Sequence, residues 1–399
     1  MNCLSIPKDK CTGCMACYNV CSKNAIHFKE DEEGFLYPSI DQSICVDCGL
    51  CYLKCPVVTD ESKTITPIKA CYYGINIDKN VQRLSSSGGV FAAVSKLVIE
   101  RGGVVFGAAF DYDNLNLCHF SSEEKPLVEL QKSKYVQSYI GDIYKKVKSF
   151  VKQGRQVLFV GTPCQCAGLS AYLGKENYDN LLICDFICHG VPPMAMLREH
   201  LNYLKLSNKH IGMISFRPKI KSWVDYFIIN DGEKILYKSK HQYDPYYSFF
   251  MKFLSLRRCC YQCEYSEGFR KADFSIADYW GYHRYDKNIY DKDGLSLVIA
   301  YSEKAYKMIE EINGEYVKLF PLEEKYVKYA YKKPVGGRDA RDRFFTTYIA
   351  KGYQRTAKEY GFSHFKTTFF NMRDNLIDKA IILKRGLVKN NSRKDSCIM

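Results

Sequence analysis

The sequence predicts a mixed α+β and α/β protein made of a small cysteine-rich module, a larger α/β domain and a basic helical extension. Three observations support this prediction. Two short cysteine runs lie within the first 60 of 399 residues, and strand and helix patterns alternate up to about residue 310. Residues 331–399 contain 16 Lys and Arg against 6 Asp and Glu. Because 399 residues are more than one hydrophobic core usually serves, we expect several folding units.

The N-terminal module contains the same cysteine spacing twice. The chain reads CTGCMACYNVC from residue 11 and CVDCGLCYLKCP from residue 45, and only the second copy is followed by proline. Two runs of C-x2-C-x2-C-x3-C are typical of bacterial two-cluster ferredoxins, where each run supplies three ligands to one cubane cluster and one to the other. The predicted 4Fe-4S ligand sets are Cys11, Cys14, Cys17 and Cys55 for one cluster, and Cys45, Cys48, Cys51 and Cys21 for the other. Zinc sites use two C-x2-C pairs, which explain the triple runs poorly.

Cysteine usage and charge also indicate a compartment and partners. The chain has 19 cysteines, but its first residues, MNCLSIPKDKC, show no apolar signal segment, and no run of about 18 apolar residues follows. We therefore expect a reducing cytoplasm, where thiols serve as metal ligands. The net charge of +14 could attract an acidic protein or an anionic membrane surface, or it could simply keep the protein soluble. No nucleic-acid reader module is recognisable, so we expect no nucleic-acid partner.

The predicted units follow one another along the chain. The expected boundaries are 1–60 for the ferredoxin-type domain, 61–70 for a polar linker, 71–150 and 151–310 for the two parts of the larger domain, and 311–399 for the helical basic extension. In the first part, CYYGINI and GVVFGAAF indicate buried strands. GGVFAAVSKLVIERG between them indicates a helix capped by the preceding serines. That Ser-Gly run at 85–89 suits a phosphate, although a helix cap is the commoner explanation.

The second part of the larger domain begins with two strands that each lead to a cysteine. RQVLFVGTPCQCAGL leads to Cys164, and LLICDFICHGVPP leads to Cys188. Open α/β sheets build their sites at such strand ends. ISFRPK and YFIINDGEKILY then indicate antiparallel strands with a tight turn at Asp231-Gly232, and ADFSIADYWG and SLVIAY indicate further strands. From about residue 304 helical periodicity dominates. The amphipathic segment MRDNLIDKAIILKRGLVK could lie on a membrane surface or pack on the core.

Four more cysteines could form a third metal site. Cys164, Cys188, Cys260 and Cys263 have no role in the ferredoxin-type module. Their number matches a third cubane cluster whose ligands come together only when the larger domain folds. Buried free cysteines beside a small zinc site explain the same spacing equally well.

Several segments together resemble one known family. They are SSGGVF at 86–91, SKYVQS at 133–138, GTPCQ at 161–165, CHGVP at 188–192, FRPK at 216–219 with Trp223 downstream, CYQC at 260–263 and ADFSIADYWG at 272–281. In this combination the chain resembles the coenzyme F420 hydrogenase/dehydrogenase beta-subunit family, which also includes plant 7-hydroxymethyl chlorophyll a reductase. The resemblance spans roughly residues 1–300. It implies an FAD-containing iron–sulfur oxidoreductase of α/β type with an N-terminal ferredoxin module.

The resemblance also implies roles for individual residues. Cys164, Cys188, Cys260 and Cys263 match the ligands of a third 4Fe-4S cluster next to the flavin, although Cys259 could replace Cys260. The implied flavin contacts are Ser87, Gly88, Gly89, Lys134, Tyr135, Gln137 and Ser138. Lys134 and His189 are candidate catalytic residues, because a reduced flavin is anionic and its acceptor often needs a proton. A structural role for His189 is an equally good explanation.

These expectations favour an electron-transfer flavoenzyme. Clusters carry one electron each and organic substrates take two, so a flavin between them acts as the converter. Electrons would pass from the ferredoxin module through the third cluster to FAD and on to a bound acceptor, F420-like or another organic substrate, or would run in reverse. The alternative is an electron-carrier subunit without its own substrate site. Both hypotheses include a redox partner protein, either a ferredoxin or a hydrogenase or dehydrogenase subunit.

Overall fold

The computed structural model describes residues 1–59, 64–176, 178–220, 226–282, 285, 289, 291–327 and 337–361. Trp223, residues 61–63 of the polar linker and the amphipathic segment at 372–389 therefore lie outside the described residues. The strands, in chain order, are β1 (Ile26–Glu30), β2 (Leu36–Ile40), β3 (Ala70–Asn76), β4 (Val104–Asp111), β5 (Asn116–Ser121), β6 (Val157–Gly161), β7 (Leu181–Phe186), β8 (Met213–Ser215), β9 (Tyr226–Asn230), β10 (Ile235–Lys240), β11 (Phe274–Asp278), β12 (Ser296–Ala300) and β13 (Val317–Pro321).

The α-helices are interspersed with these strands. They are α1 (Ala16–Val20), α2 (Leu50–Leu53), α3 (Pro56–Thr59), α4 (Lys79–Leu84), α5 (Val90–Glu100), α6 (Leu127–Leu130), α7 (Ile143–Lys152), α8 (Pro163–Leu173), α9 (Met194–Tyr203), α10 (Pro245–Met251), α11 (Glu303–Ile312), α12 (Glu324–Val327) and α13 (Arg338–Tyr360). Short 3-10 helices span Cys3–Ser5, Arg258–Gln262 and Glu264–Glu267. No helix among the described residues is long and apolar enough to cross a membrane.

The N-terminal module has a ferredoxin-like arrangement. Strands β1 and β2 form an antiparallel pair, and the short helices α1 to α3 follow or include the cysteine runs. Gly13 has a φ of 69° and Met15 a φ of 63°, so the first run coils through the left-handed region between its cysteines. A Cβ on Gly13 would lie 2.6 Å from the side chain of Gln137, so glycine is required there both by conformation and by close packing.

The larger domain is organised around a mixed eight-stranded sheet. Its strand order within the described residues is β13-β3-β12-β11-β7-β6-β4-β5. The middle strands β11, β7, β6 and β4 run parallel, and antiparallel strands complete both sides. Val105 of β4 packs into the core below α5 and α11, whereas the adjacent Phe106 packs into the core with α7 and α8. Helices therefore cover both faces, as expected for strands that are apolar throughout.

A second sheet and the last described helix build a separate core. The antiparallel strands β10, β9 and β8 pack with α9, α10 and α13. Helix α13 kinks at Gly352, whose φ is 70°. A buried hydrogen-bond network fastens α13 here, because the Tyr353 hydroxyl lies 2.8 Å from His200 Nδ1 and Asp244 lies 3.0 Å from His200 Nε2.

Most predicted elements are present, and one expectation is wrong. The serines before α5 do not cap it: the N-cap is Gly89, which has a φ of 92°, and no side chain caps the helix. The serine hydroxyls are used elsewhere, since Ser86 accepts from Ser133 N and Ser87 donates to Leu295 O. Helical structure does not continue unbroken after residue 304, because β13 interrupts it. Residues in β13 alternate between buried and exposed, which fits a strand at the edge of the sheet.

Candidate metal centres

The first predicted ligand set is brought together by the ferredoxin-like turns. The thiol of Cys55, from the second run, faces Cys14 and Cys11 of the first run. Burial is the main reason that the pKa of Cys55 is raised to about 12 and that of Cys14 to about 11. The thiol of Cys17 also faces Cys14 and Cys11. The structure thus brings three cysteines of one run next to the last cysteine of the other, as the crossing pattern requires.

The second predicted ligand set lies nearer the surface. Cys48 is exposed, and Cys45, Cys51 and Cys21 are partly exposed. Positive φ angles of 48° at Asp47 and 71° at Gly49 coil this run as Gly13 and Met15 coil the first. Cys3, which has no predicted role, is buried beside it, and the Cys3 N–H donates to Cys51 Sγ at 3.2 Å. Such N–H···S bonds tune the potentials of thiolate-bound clusters.

The dispersed cysteines meet at one edge of the large sheet. Strands β6 and β7 are parallel neighbours, so Cys164 in the first turn of α8 and Cys188 after β7 emerge at the same edge. Thr162 caps α8 in a capping box with Gln165, which fixes the turn. Thr162 Oγ1 lies 3.1 Å from Cys164 Sγ, and Gly190 N donates to Cys188 Sγ at 3.4 Å.

Cys259, the alternative to Cys260 that the resemblance allows, also lines this cavity. Burial raises the pKa of Cys164 well above its usual value, and the neighbouring thiols that raise it further are Cys188, Cys263 and Cys259. The pKa of Cys263 is raised to about 11 by burial, with Cys259 again the contributing thiol. Cys260 lies at the cavity wall and hydrogen-bonds with Cys259. Cys259 and Cys260 thus both line the cavity with the other three cysteines, and Cys259 is the one of the two whose charge acts on Cys164 and Cys263.

A single cavity joins this cysteine set to the ferredoxin module. Its volume is about 150 Å³, and its wall includes Thr12 and Val57 of the module as well as Cys164, Cys188, Cys259 and Cys263. His189 also lines it, with its ring edge-to-face against Phe253 at 6.4 Å. Among the described residues, no three Cys, His, Asp or Glu side chains converge as ligands of one metal ion. A cubane binds each of its four thiolates at a different iron.

The segment Lys134–Ser138 runs from this cavity towards the side chains of Lys219 and Arg217, which are called the basic cluster below. Gln137 and Ser138 line the cavity. Gln137 Nε2 donates to Thr12 O at 3.1 Å, and Ser138 Oγ accepts from Gln165 Nε2 at 3.0 Å. Tyr135 stacks on Phe250 at 4.4 Å between ring centroids.

Lys134 lies at the far end of this segment and does not line the cavity. Its ammonium donates to Glu129 O at 2.7 Å and also to Gln131 O. Burial, with a smaller contribution from Lys132, lowers the pKa of Lys134 to about 7. The structure therefore separates the two predicted catalytic residues, since only His189 is at the cavity wall.

The Ser-Gly-Gly turn lies at the basic cluster. Lys219 Nζ donates to Ser87 O at 2.7 Å, and burial lowers the pKa of Lys219 to about 8. Nearby, Arg217 and Asp278 form a buried two-bond ion pair. Gly88 is required by packing, because a Cβ there would lie 2.2 Å from Gly74 O. The FRPK and ADYWG segments thus meet the Ser-Gly-Gly turn in space.

Buried arginines at the cavity are the residues that the sequence analysis missed. Arg257 lies between Cys11 and the dispersed cysteines, and Arg270 pairs with Asp185 at 3.7 Å, close to Cys188. Burial raises the pKa of Asp185 to about 6. The two arginines next to Cys259 were visible in the sequence, but nothing there indicated that Arg257 is buried.

Two family models match parts of the chain. Residues 10–58 match the 4Fe-4S dicluster domain, and residues 154–325 match the C-terminal family of the coenzyme F420 hydrogenase/dehydrogenase beta subunit. An uncharacterized ferredoxin of Methanocaldococcus jannaschii is 34% identical over 64 residues, which are 16% of this chain and 82% of the ferredoxin. A chain in the structure of the F420-reducing [NiFe] hydrogenase complex from Methanosarcina barkeri has 13% identity and a TM-score of 0.47, over 70% of this chain and 91% of that chain.

The ferredoxin module and its matches define the class: this is an iron–sulfur electron-transfer protein with two 4Fe-4S clusters in its N-terminal domain. The chain combines this ferredoxin-type domain with a region, residues 154–325, that matches the coenzyme F420 hydrogenase/dehydrogenase beta-subunit family. The resemblance described from the sequence motifs is thereby confirmed.

Proposed function

We propose that the chain is an iron–sulfur flavoprotein oxidoreductase. Electrons pass from the ferredoxin module through a third 4Fe-4S cluster to FAD and on to a bound two-electron acceptor, F420-like or another organic molecule, or in reverse. Iron–sulfur clusters exchange single electrons and a flavin converts them to pairs. The observation that carries the proposal is the cavity of about 150 Å³ whose wall combines ferredoxin residues with five thiols of the larger domain.

The residues of the cavity fit a third cluster. The proposed ligands are Cys164, Cys188, Cys259 and Cys263. Cys259 here takes the place of its neighbour Cys260, which was the ligand first expected. Metal binding requires deprotonated thiols, and the raised pKa values make the empty site costly to ionise. Two of the sulfurs already have hydrogen-bond partners, since Gly190 N donates to Cys188 Sγ and the Thr162 hydroxyl lies within hydrogen-bond distance of Cys164 Sγ. Arg270 supplies positive charge close to Cys188.

The segment from Lys134 to Ser138 fits a flavin that reaches the cluster. One end of the segment borders the cavity through Gln137 and Ser138, and Tyr135 lies close to Arg217 of the basic cluster. Basic groups hold the pyrophosphate of such a cofactor well, and the Ser87 turn lies there as well. Gly88 and Gly89 support this turn through packing and backbone conformation.

Lys134 and His189 have different proposed roles. His189 at the cavity wall is positioned to hold or move a proton near the acceptor. Lys134 is an ammonium with a pKa of about 7, so near neutral pH it can carry or release a proton.

The surface around Cys48 is the proposed docking site of the redox partner. Cys48 is exposed, and the apolar side chains around it are also exposed, namely those of Met1, Leu4, Ile44, Val46, Leu50 and Leu53. A partner protein that covers this surface comes close to the second ligand set. Cytoplasmic location and contact of the basic C-terminal segment with a membrane surface stay predictions from the sequence.

The competing function is an electron carrier without its own substrate site, and flavin reduction separates the two. The anaerobically purified chain is extracted for flavin, then reduced with dithionite while flavin bleaching is followed. We expect bound FAD whose bleaching slows at least tenfold in Cys164→Ser compared with Cys166→Ser. Cys166 is a matched control, because it is fully buried and its thiol points to Gly161 O and Cys184 O. Iron–sulfur clusters without any flavin would instead establish the carrier.

A further inference from the structure

Arg257 is a fully buried arginine that connects the ferredoxin module to the larger domain. Its Nε donates to Cys11 O at 2.8 Å, and its Nη1 donates to Gln137 Oε1 at 3.1 Å. Its Nη2 donates to Leu36 O at 3.1 Å and lies 3.8 Å from Cys11 Sγ. The guanidinium also lies over the Tyr37 ring at 4.0 Å. Arg257 thus touches the first ligand set directly.

The same guanidinium faces the dispersed cysteines. Cys259 and Cys260 follow Arg257 in a 3-10 helix, and the Arg257 charge acts on Cys259. The main chain is held in place, because Arg257 N donates to Val191 O at 2.9 Å and Arg257 O accepts from Cys260 N at 2.9 Å. One fixed positive charge therefore stands between the two thiol sets, at the wall of the shared cavity.

Other buried arginines of the described chain are paired with carboxylates, and Arg257 is not. Arg341 pairs with Glu33, Arg217 with Asp278, and Arg270 with Asp185. Among the described residues, the acceptors of Arg257 are backbone carbonyls, an amide oxygen and a thiol. A buried charge without a counter-charge is strongly unfavourable. The negative charge that balances Arg257 must therefore come from the thiolate-bound centres.

We propose that Arg257 is the shared counter-charge of the cluster held by Cys11 and of the third cysteine set, and that it raises the reduction potential of both. Reduction adds one negative charge to a cluster, and a nearby fixed cation favours that state. Hydrogen bonds to ligand sulfur act in the same direction. Arg257 is a positioning residue. It keeps the reduction potentials of the two centres close to each other, so that an electron can pass between them in either direction. The part concerning the third set rests on the proposed function.

The reduction potential tests this assignment, because a purely structural residue would leave it unchanged. Anaerobic redox titrations followed by electron paramagnetic resonance compare wild type, Arg257→Lys and Arg257→Met. We expect Arg257→Met to make reduction of the Cys11 cluster at least tenfold less favourable, which is a shift of about 59 mV to lower potential for one electron. Arg257→Lys keeps the charge and should shift the potential by less than half as much. The same titrations in the Cys164→Ser background isolate the ferredoxin pair.

The control removes another buried ion from the same interface without changing net charge. Glu33→Gln combined with Arg341→Met deletes a pair that also joins the ferredoxin module to α13. Its Cys11 cluster should keep the wild-type potential. Equal shifts in this control and in Arg257→Met would overturn the proposal, and so would an unchanged potential in Arg257→Met.

A second variant serves if Arg257→Met does not fold. Gln137→Glu places a carboxylate against Nη1 and keeps the guanidinium, so it should also lower the Cys11 cluster potential. An unchanged or raised potential in Gln137→Glu would then contradict the assignment. A wild-type protein with about eight irons refutes the third cluster alone, because the Cys11 potential is measured independently of it.

Discussion

The two groups of cysteines differ in how the chain assembles them. In the ferredoxin module each run places three cysteines within seven residues, and one of them, Cys48, is exposed. The second group comes from a helix start, a strand end and a 3-10 helix, spread over 100 residues from Cys164 to Cys263. Local turns build the first group, whereas the second exists only when β6 and β7 pair. The second group should therefore be lost selectively when the larger domain is disturbed.

The largest expected effect is the loss of one whole cluster from the dispersed group. Cys164→Ser should remove about four irons per chain and leave about eight. The reason is that Cys164 faces the three other proposed ligands across the cavity. Iron and acid-labile sulfide measure this, with Cys166→Ser as the variant that keeps all clusters. An unchanged iron content in Cys164→Ser would show that the third site is elsewhere or absent.

A sharper version of this test separates two adjacent cysteines. Cys259→Ser should lose the same iron as Cys164→Ser, while Cys260→Ser should keep at least three quarters of it, because Cys259 is the thiol that faces Cys164 and Cys263. Iron content and the absorbance near 400 nm, taken on both variants in parallel, give the answer. The reverse pattern would restore Cys260 as the ligand expected from the sequence.

A smaller effect concerns the contact between the ferredoxin module and helix α13. Arg341 is fully buried and donates to both carboxylate oxygens of Glu33 and to Leu256 O. Arg341→Met should lower the free energy of unfolding by roughly 3 kcal/mol, because it leaves Glu33 with fewer partners at the interface. Urea titration measures the change. Arg355→Met, which removes an exposed pair with Glu359, should change it by about 0.5 kcal/mol at most. Similar losses in both variants would mean that α13 does not fasten the ferredoxin module.

The last effect is a pH dependence within the larger domain, which is smaller than the preceding one when it is measured over a single pH unit. The pKa of Lys134 is lowered from 10.5 to about 7, mainly by burial. Between about pH 7 and 10.5 the unfolded chain binds this proton and the folded chain does not, so stability rises with pH in that window. Below pH 7 both states are protonated and the contribution to the slope disappears. The Lys134 slope is at most about 1.4 kcal/mol per pH unit. Lys134→Met should lack it, and identical slopes in urea titrations of both proteins would contradict the assignment.

The sequence predicted what short spacing and strand patterns can encode. The twin runs predict the 4Fe-4S dicluster domain that the comparisons support, and the strand patterns before Cys164 and Cys188 correctly bring both to one sheet edge. The choice between Cys259 and Cys260 could not be predicted, because they are adjacent residues of one 3-10 helix and both line the cavity. Helix capping was also misjudged, since the serines before α5 bond to distant strands and loops.

The other features that the sequence did not predict depend on contacts between residues that are far apart in the chain. Arg257 and Cys11 are 246 residues apart in the chain, and Arg341 and Glu33 are 308 apart. No local pattern records such pairs. A role of α13 in fastening the ferredoxin module was for this reason invisible in the sequence, where residues 311–399 showed only charge and helical periodicity.

The content of iron, acid-labile sulfide and flavin in the anaerobically purified chain tests the central claim most directly. The account predicts about twelve irons and about twelve sulfides per chain together with one FAD, because three cubane clusters each contain four of both. About eight irons without flavin would contradict it, and would leave a two-cluster ferredoxin fused to a domain without a redox centre.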